Sequence, residues 1–366
     1  MRIGIITHPL HTNYGGVLQN FALQVILRRL GHDPITLREA LGYQGRSNLW
    51  FAFQFPVMLA KDFIKKIIGR NQGITESIWS WRKRVSGIEG FVQRNISCTR
   101  PKRIFSVKDV KNNNIDAIVI GSDQVWRPML SSMIDNAFCG FLKNSEIPRM
   151  AYAASFGLDQ WVLSNEQTIE ARELVKLFKA VSVREYSGVD LCKKHLGVDA
   201  KWVLDPTLLL SKEDYLKISM NVPIDKEKFV FAYFLDEMPG QIDLAFDAAK
   251  KLGCKLHVLK IGKNINQSDT VERWLANFRD AEYVVTDSFH GAVFSILFNK
   301  NFICFYNTSG GNARMDGLRT ITGLDDRFVN KLSTPIIYDI DYAAVSKRLD
   351  KMRLESIQFL KSYLND

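Results

Sequence analysis

The usual marks of disulfide bonding, metal binding and membrane spanning are missing from this chain of 366 residues. Its five cysteines (Cys98, Cys139, Cys192, Cys254 and Cys304) are scattered, odd in number and form no CxxC pair. A reduced compartment and no structural zinc follow. The histidines are dispersed and no metal set emerges. No uninterrupted apolar run is long enough to cross a bilayer, and Arg2-Ile3-Gly4-Ile5-Ile6-Thr7 reads as a strand rather than a signal peptide, so a cytoplasmic protein is expected. There is no low-complexity tract, and with 46% hydrophobic residues the composition is globular. The dinucleotide fingerprint GxGxxG, the P-loop and any nucleic-acid motif are also absent, so no nucleic-acid partner is expected.

What is present is a regular alternation of strands and helices. A strand at Ile3–Thr7, a helix over Val17–Leu30 and a strand at Ile35–Leu37 form a β-loop-α-β opening. Further strands are expected at Ile115–Ile120, Met150–Ala154, Val181–Val183 and Lys201–Leu204. A helix from Asn165 carries Ser164 and Gln167 as a capping box. The polar, proline-containing stretch Met220–Lys228 separates this from a second alternating region. That region has strands at Phe229–Leu235, Leu256–Leu259 and Phe302–Tyr306, and helices at Ile242–Leu252 and near Val271–Phe278. Two domains are the default for this length. The expected fold is α/β, two Rossmann-like domains facing across a cleft. Residues 1–219 form the first, residues 220–340 the second, and residues 341–366 a helix packing back on the first.

The net charge of +10 is concentrated. Between Arg46 and Arg103 stand twelve basic residues against Asp62, Glu76 and Glu89. This insertion also carries Trp50, Phe51, Phe53 and Phe55 beside Lys61, Lys65 and Lys66. Aromatics next to lysines fit an amphipathic element on an anionic membrane surface. The alternative is a solvated basic helix packed by its apolar face.

Four loops at strand ends carry chemistry, and ligands in such sheets bind at the carboxyl ends of strands. The first holds Gly15 and Gly16 before a helix, where adjacent glycines let a ligand approach the backbone. His8, His11, Asn13, Tyr14 and Gln19 surround them with groups suited to a sugar or phosphate. The second, Gly121-Ser122-Asp123-Gln124-Val125-Trp126, joins hydroxyl, carboxylate and indole; Trp126 could equally be core. The third ends in Arg184, either a clamp for a small anion or a partner of Glu185 or Asp205. The fourth is Tyr283-Val284-Val285-Thr286-Asp287-Ser288-Phe289-His290-Gly291. It reads as strand, turn and helix N-terminus, with Asp287 or Ser288 as the cap and His290 in the first turn. An anion bound there would favour imidazolium, making His290 a proton donor once substrate arrives. Ser309-Gly310-Gly311-Asn312-Ala313-Arg314 is a further anion candidate.

These segments, in this order, together with Ala151–Gly157, Ser182-Val183-Arg184-Glu185 and Leu204-Asp205-Pro206-Thr207, make the chain similar to the polysaccharide pyruvyl transferase family. The resemblance implies a GT-B-like fold and an enzyme of capsular or exopolysaccharide synthesis, which the basic insertion would make peripheral at the membrane. Such an enzyme moves pyruvate from phosphoenolpyruvate onto two sugar hydroxyls as a ketal and needs no other cofactor. It maps the family's essential histidine and arginine to His290 and Arg184, and a basic residue of the later glycine loop to Arg314. Ser288, Gly291, Asn312 and Arg314 are then expected at phosphoenolpyruvate. Asn13, Tyr14, Gly15, Gly16, Gln19, Ser122, Asp123 and Trp126 are expected at the acceptor. Asp287 would orient His290, accept a proton from the sugar, or merely cap the helix. A GT-B glycosyltransferase using a nucleotide sugar, or a non-catalytic sugar-binding protein held at a membrane, are the rival readings.

Overall fold

A computed structural model describes the chain except residues 12, 41–55, 58, 61–77, 129–133, 237–239, 261–268, 307–310, 332–333 and 365–366. Six strands form the first sheet: β1 (Arg2–Ile6), β2 (Asp33–Thr36), β3 (Ala117–Ile120), β4 (Arg149–Ala154), β5 (Ala180–Val183) and β6 (Lys201–Trp202). They lie in the order β2-β1-β3-β4-β5-β6 and every pairing is parallel. Five more form the second sheet: β7 (Phe229–Phe234), β8 (Lys255–Lys260), β9 (Tyr283–Thr286), β10 (Asn301–Phe305) and β11 (Phe328–Val329). Their order is β11-β10-β9-β7-β8, again parallel throughout. Parallel sheets need helices on both faces, so their strands read as unbroken apolar runs rather than alternations. Ala117-Ile118-Val119-Ile120 and Tyr283-Val284-Val285-Thr286 are wholly buried in that way. Two parallel sheets flanked by helices constitute the Rossmann-like, GT-B-like class expected from the sequence.

The element boundaries deviate where caps intervene. The first helix begins at Tyr14, three residues before the expected Val17, because the Asn13 side chain accepts the Gly16 amide at 3.1 Å and caps it there. The capping box of the helix Asn165–Val175 is formed as expected, Ser164 and Gln167 exchanging bonds at 3.2 and 3.0 Å. In β4 the register shifts between Ala151 and Ala154, and Ala153 takes a φ of 54°. The Ser182 hydroxyl spans the irregularity, accepting from the Ala153 amide and donating to the Ala151 carbonyl.

Part of the basic insertion is packed. The helix Ile78–Asn95 buries Val85, Ile88, Phe91 and Val92, and Phe91 meets Phe21 of the first helix edge-on at 5.7 Å. Glu89 holds Arg38, and Arg94 reaches Glu272 of the second half at 2.8 Å. For this stretch the packed-helix alternative is the observed one. Trp50, Phe51, Phe53 and Phe55 lie outside the described residues.

The first and last helices also join the halves. Tyr14 stacks on Trp274 at 5.3 Å and donates its hydroxyl to the Asp269 carbonyl at 2.9 Å. The last helix, Tyr342–Leu364, starts against the second half, where the Tyr342 hydroxyl bonds the Lys300 carbonyl. It ends against the first, where Ser356 accepts the Leu204 amide at 3.0 Å, Arg353 donates to the Leu208 carbonyl at 2.6 Å and Phe359 packs on Tyr152.

Candidate active site

The carboxyl ends of β1, β3, β5 and β9 meet at one place, and Arg184 is its centre. Its guanidinium is fully buried, with Nη1 donating to Asp205 at 2.7 Å and Nη2 to Asp123 at 3.0 Å. A charge this deep is tolerated only when paired. Glu185 stands 4.0 Å from Nε, and its other oxygen accepts from Ser155 and from the Gly157 amide. Of the two readings of Arg184, its outer nitrogens thus satisfy the ion-pair one.

Each carboxylate is fixed from several sides. Asp123, with φ of 71°, also accepts from Asn13 at 3.1 Å. Such backbone geometry costs about 1–3 kcal/mol in a non-glycine residue and is concentrated at functional sites. Gly16 has room for no side chain here, since its Cβ would lie 2.8 Å from Asp123 Oδ2. Asp205 caps its own turn through Thr207 and accepts the Ser122 hydroxyl at 2.9 Å. Burial opposes ionisation of Asp123, but Arg184, His8, His290 and Arg314 outweigh it and bring the carboxyl to about 2. Asp205 is likewise held well below the usual carboxylate range by His290, Arg184 and Thr207 despite its burial.

His290 enters from the second half. Ser288, not Asp287, caps its helix Phe289–Leu297, accepting the Gly291 amide at 3.3 Å. The imidazole lies against Gly15, and its Nε2 is 3.8 Å from Asp205 Oδ2 with no hydrogen-bond partner among the described residues. Asp287 turns elsewhere: its carboxylate accepts the Leu235 and Asp236 amides at 2.7 and 2.9 Å, and burial raises it to about 6 against those bonds. Phe289 carries two cations on its ring, Arg184 at 5.1 Å and Arg314 at 5.9 Å. Arg314 has no hydrogen-bond partner for Nε among the described residues, and burial and Arg184 lower it to about 10. A guanidinium in that position would be stabilised by an arriving anion. Gly311, at φ of 92°, brings the Arg314 loop onto the Gly157 carbonyl; a Cβ there would be 2.5 Å from that oxygen.

Several expected contacts have other uses. Trp126 is core: only 1% exposed, it donates its indole N–H to Ala137 and stacks on Phe138 at 5.1 Å, so it offers no face to a sugar. Tyr14 is spent on Trp274 and Asp269 between the halves. Gln19 is buried, donating to Thr7 and to the Gly16 carbonyl. Ser122 orients Asp205, and Gly291 fits a spot where a Cβ would strike Thr286 Oγ1. Asp205 is legible in the sequence as a possible partner for Arg184 and as part of the Leu204-Asp205-Pro206-Thr207 segment, but that setting gives no hint of His290. No group of three or more His, Cys, Asp or Glu residues able to hold a metal occurs among the described residues.

Solved structures resemble the chain over nearly its full length at low identity. S. aureus MnaA with UDP is 12% identical (TM-score 0.46; 100% of this chain and 97% of that one). UDP-GlcNAc 2-epimerase from Neisseria meningitidis bound to UDP-GlcNAc is 10% identical (TM-score 0.49; 98% and 100%). A Streptomyces sp. glycosyltransferase complexed with thymidine diphosphate is 11% identical (TM-score 0.45; 99% and 99%). No curated protein sequence matches. The family model of polysaccharide pyruvyl transferases matches residues 13–309, a span that includes the Asn13 cap, Asp123, Arg184, Asp205 and His290, and the chain therefore belongs to the polysaccharide pyruvyl transferase family.

Proposed function

We propose that this transferase moves pyruvate from phosphoenolpyruvate onto two hydroxyls of one sugar residue, forming a ketal and releasing phosphate. The observation that carries this reading is the placement of His290. Its imidazole stands at a helix N-terminus, against Gly15 and beside an anionic Asp205, and the ring of the preceding residue, Phe289, carries the cation Arg314. An imidazolium held by Asp205 gives a proton to C3 of phosphoenolpyruvate, and C2 becomes an oxocarbenium-like centre. One hydroxyl oxygen bonds to C2 and loses its proton, the C2–O bond to phosphate breaks, and the second hydroxyl closes the ring with loss of its proton. Arg314, with Asn312 at the start of its own helix, binds the phosphate and carboxylate, while Ser288 and Gly291 form the cap that sets the His290 helix start. Arg184 keeps Asp123 and Asp205 ionised and in place rather than gripping the donor with its paired nitrogens. Asp287 holds the turn after β7 to the His290 loop. Asn13, Gly15, Gly16 and Asp123 edge the acceptor side, in the domain of residues 1–219, and the donor side is that of residues 220–340.

The acceptor is a polysaccharide precursor, and we read it as polyprenyl-linked. Residues 49–70, basic and aromatic, would bring the protein to an anionic membrane on its cytoplasmic face. The support here is sequence alone, since that segment lies almost wholly outside the described residues. No described helix is long and apolar enough to cross a membrane.

Incubation with phosphoenolpyruvate and a panel of sugar acceptors, followed by product mass and phosphate assay, is the test. Release of phosphate with a ketal-bearing product supports the reading. Binding of UDP or GDP in preference to phosphoenolpyruvate, with no ketal, would replace it by nucleotide-sugar glycosyl transfer.

A further inference from the structure

Ketal formation takes protons from two hydroxyls, and the carboxylates around Arg184 are poor acceptors for them. Asp123 and Asp205 are strongly acidic and already bonded to guanidinium. At the same sheet edge lies a small cavity of about 10 Å³, room for about one water molecule, lined in part by His8, Glu39 and Asn136. His8 follows β1 and Glu39 follows β2, so neighbouring strands deliver both to one carboxyl edge. Glu39 is 4% exposed, and its Oε1 has no hydrogen-bond partner among the described residues; neither has Nε2 of His8. The nearby cations are engaged elsewhere. Arg38 is bidentate to Glu89, and Lys102, whose backbone bridges that of Glu39, is paired with Asp109. Two titratable side chains facing one cavity, each with a buried and unpartnered polar atom, are costly unless they are used.

We propose that His8 is the base that accepts the proton of an attacking sugar hydroxyl, and that Glu39, across the cavity, is the positioning residue that receives the proton from it. The inference rests on the pyruvyl-transfer reading. In the step itself the hydroxyl O–H bond breaks as its oxygen bonds to C2, and the proton goes to the free imidazole nitrogen. It then passes to the Glu39 carboxylate and is lost to solvent with product release. The charged groups facing His8 are Asp123 and Arg184; burial lowers its basicity, with Arg184 adding to this and Asp123 opposing. The ring is therefore neutral and ready to accept at neutral pH. Burial raises Glu39 to about 7, against a bond from Asn136, which matches it to a proton arriving from imidazole.

The test is ketal formation by wild type, His8→Gln and Glu39→Gln from pH 5 to 9, with phosphoenolpyruvate titrated in each. His8→Gln is expected to lower kcat at least ~100-fold while leaving the KM for phosphoenolpyruvate unchanged. Glu39→Gln is expected to lower kcat about tenfold and to move the acid limb of the kcat profile by more than about half a pH unit. A merely structural pair would not move that limb. Activity of His8→Gln within about threefold of wild type, or a Glu39→Gln profile superimposing on wild type, overturns the assignment. Should His8→Gln fail to fold, the Glu39→Gln profile decides. A wild type that forms no ketal with any acceptor brings down the transfer reading, and this inference with it. An active wild type with unaffected variants brings down this inference alone.

Discussion

The Cβ that Gly15 lacks would stand 1.9 Å from Nδ1 of His290 and 2.1 Å from its Cγ. The first turn of the N-terminal helix and the imidazole of the other half are thus fitted to each other across the two sheets. Glycine costs a helix about 1 kcal/mol relative to alanine, and here the close approach of the ring accounts for its use.

Gly15→Ala should therefore separate activity from stability. The added methyl must push the imidazole off its seat, and displacing a reacting group by about 1 Å costs on the order of 100-fold in rate. Melting should change little, because the helix gains what the contact loses. Transfer assays beside thermal melts check this; a fully active variant would show that the ring is not held there during turnover.

His290→Ala is expected to abolish ketal formation by about three orders of magnitude while the protein still binds phosphoenolpyruvate. Calorimetric titration with the donor gives the second half of that statement. Loss of binding together with rate would make His290 a donor ligand rather than the acid.

Arg184 and Arg314 should differ in kind. Breaking a buried ion pair by removing one partner costs about 3–5 kcal/mol. Arg184→Lys cannot span both Asp123 and Asp205 as the planar fork does, so a clear fall in melting temperature is expected. Arg314→Lys should melt near wild type and bind phosphoenolpyruvate at least about tenfold more weakly. Melting curves and donor titrations of the two variants distinguish a holder of carboxylates from a holder of the donor.

Glu39 sets a pH dependence of stability with a definite sign. Its carboxyl is raised in the fold from the usual 4.5 to about 7. Between those values the folded chain binds more protons than the unfolded one, so the stabilisation is complete below pH 4.5 and is lost as pH rises through 7. The size is of order 3 kcal/mol at most. Glu39→Gln should be more stable than wild type at pH 8 and lose that advantage at pH 5, as read by denaturant melts at both values.

Residues 49–70 should bind anionic vesicles at low salt and release them at high salt, each basic residue near the surface contributing about 1 kcal/mol. Co-sedimentation with neutral and anionic vesicles tests this. Protein left in the supernatant with anionic vesicles at low salt would favour a free oligosaccharide as acceptor.

Local signals carried the architecture. Apolar runs such as Ala117–Ile120 and Tyr283–Thr286 have no reading but buried strand, and Ser164 with Gln167 announces its helix. The convergence of the His290, Arg184, Gly121 and Gly15 loops also follows from one rule about strand ends. Partnerships were less legible, because they join residues far apart in sequence. Nothing near Trp126 distinguishes a ring facing a sugar from one stacked on Phe138. Asp287 sits beside His290 in sequence, yet the carboxylate that approaches the imidazole is Asp205. A helix start turns successive side chains in different directions, and only the packing of the second sheet decides which faces the cleft. Glu39 escaped notice because an acid three residues beyond a short strand looks like surface until its burial is known.

The helix that closes the chain has a consequence for synthesis. The amide of Leu204, just after the last strand of the first sheet, finds its partner in Ser356, 152 residues later. At about 5–20 residues per second, a ribosome needs roughly 8–30 s to make the intervening chain. During that interval the first sheet exists without its final cover, exposing Tyr152 and its neighbours where Phe359 will lie. Nascent chains of this protein pass through an obligatory half-covered stage, and that is the stage at which chaperone binding or premature association will act on it.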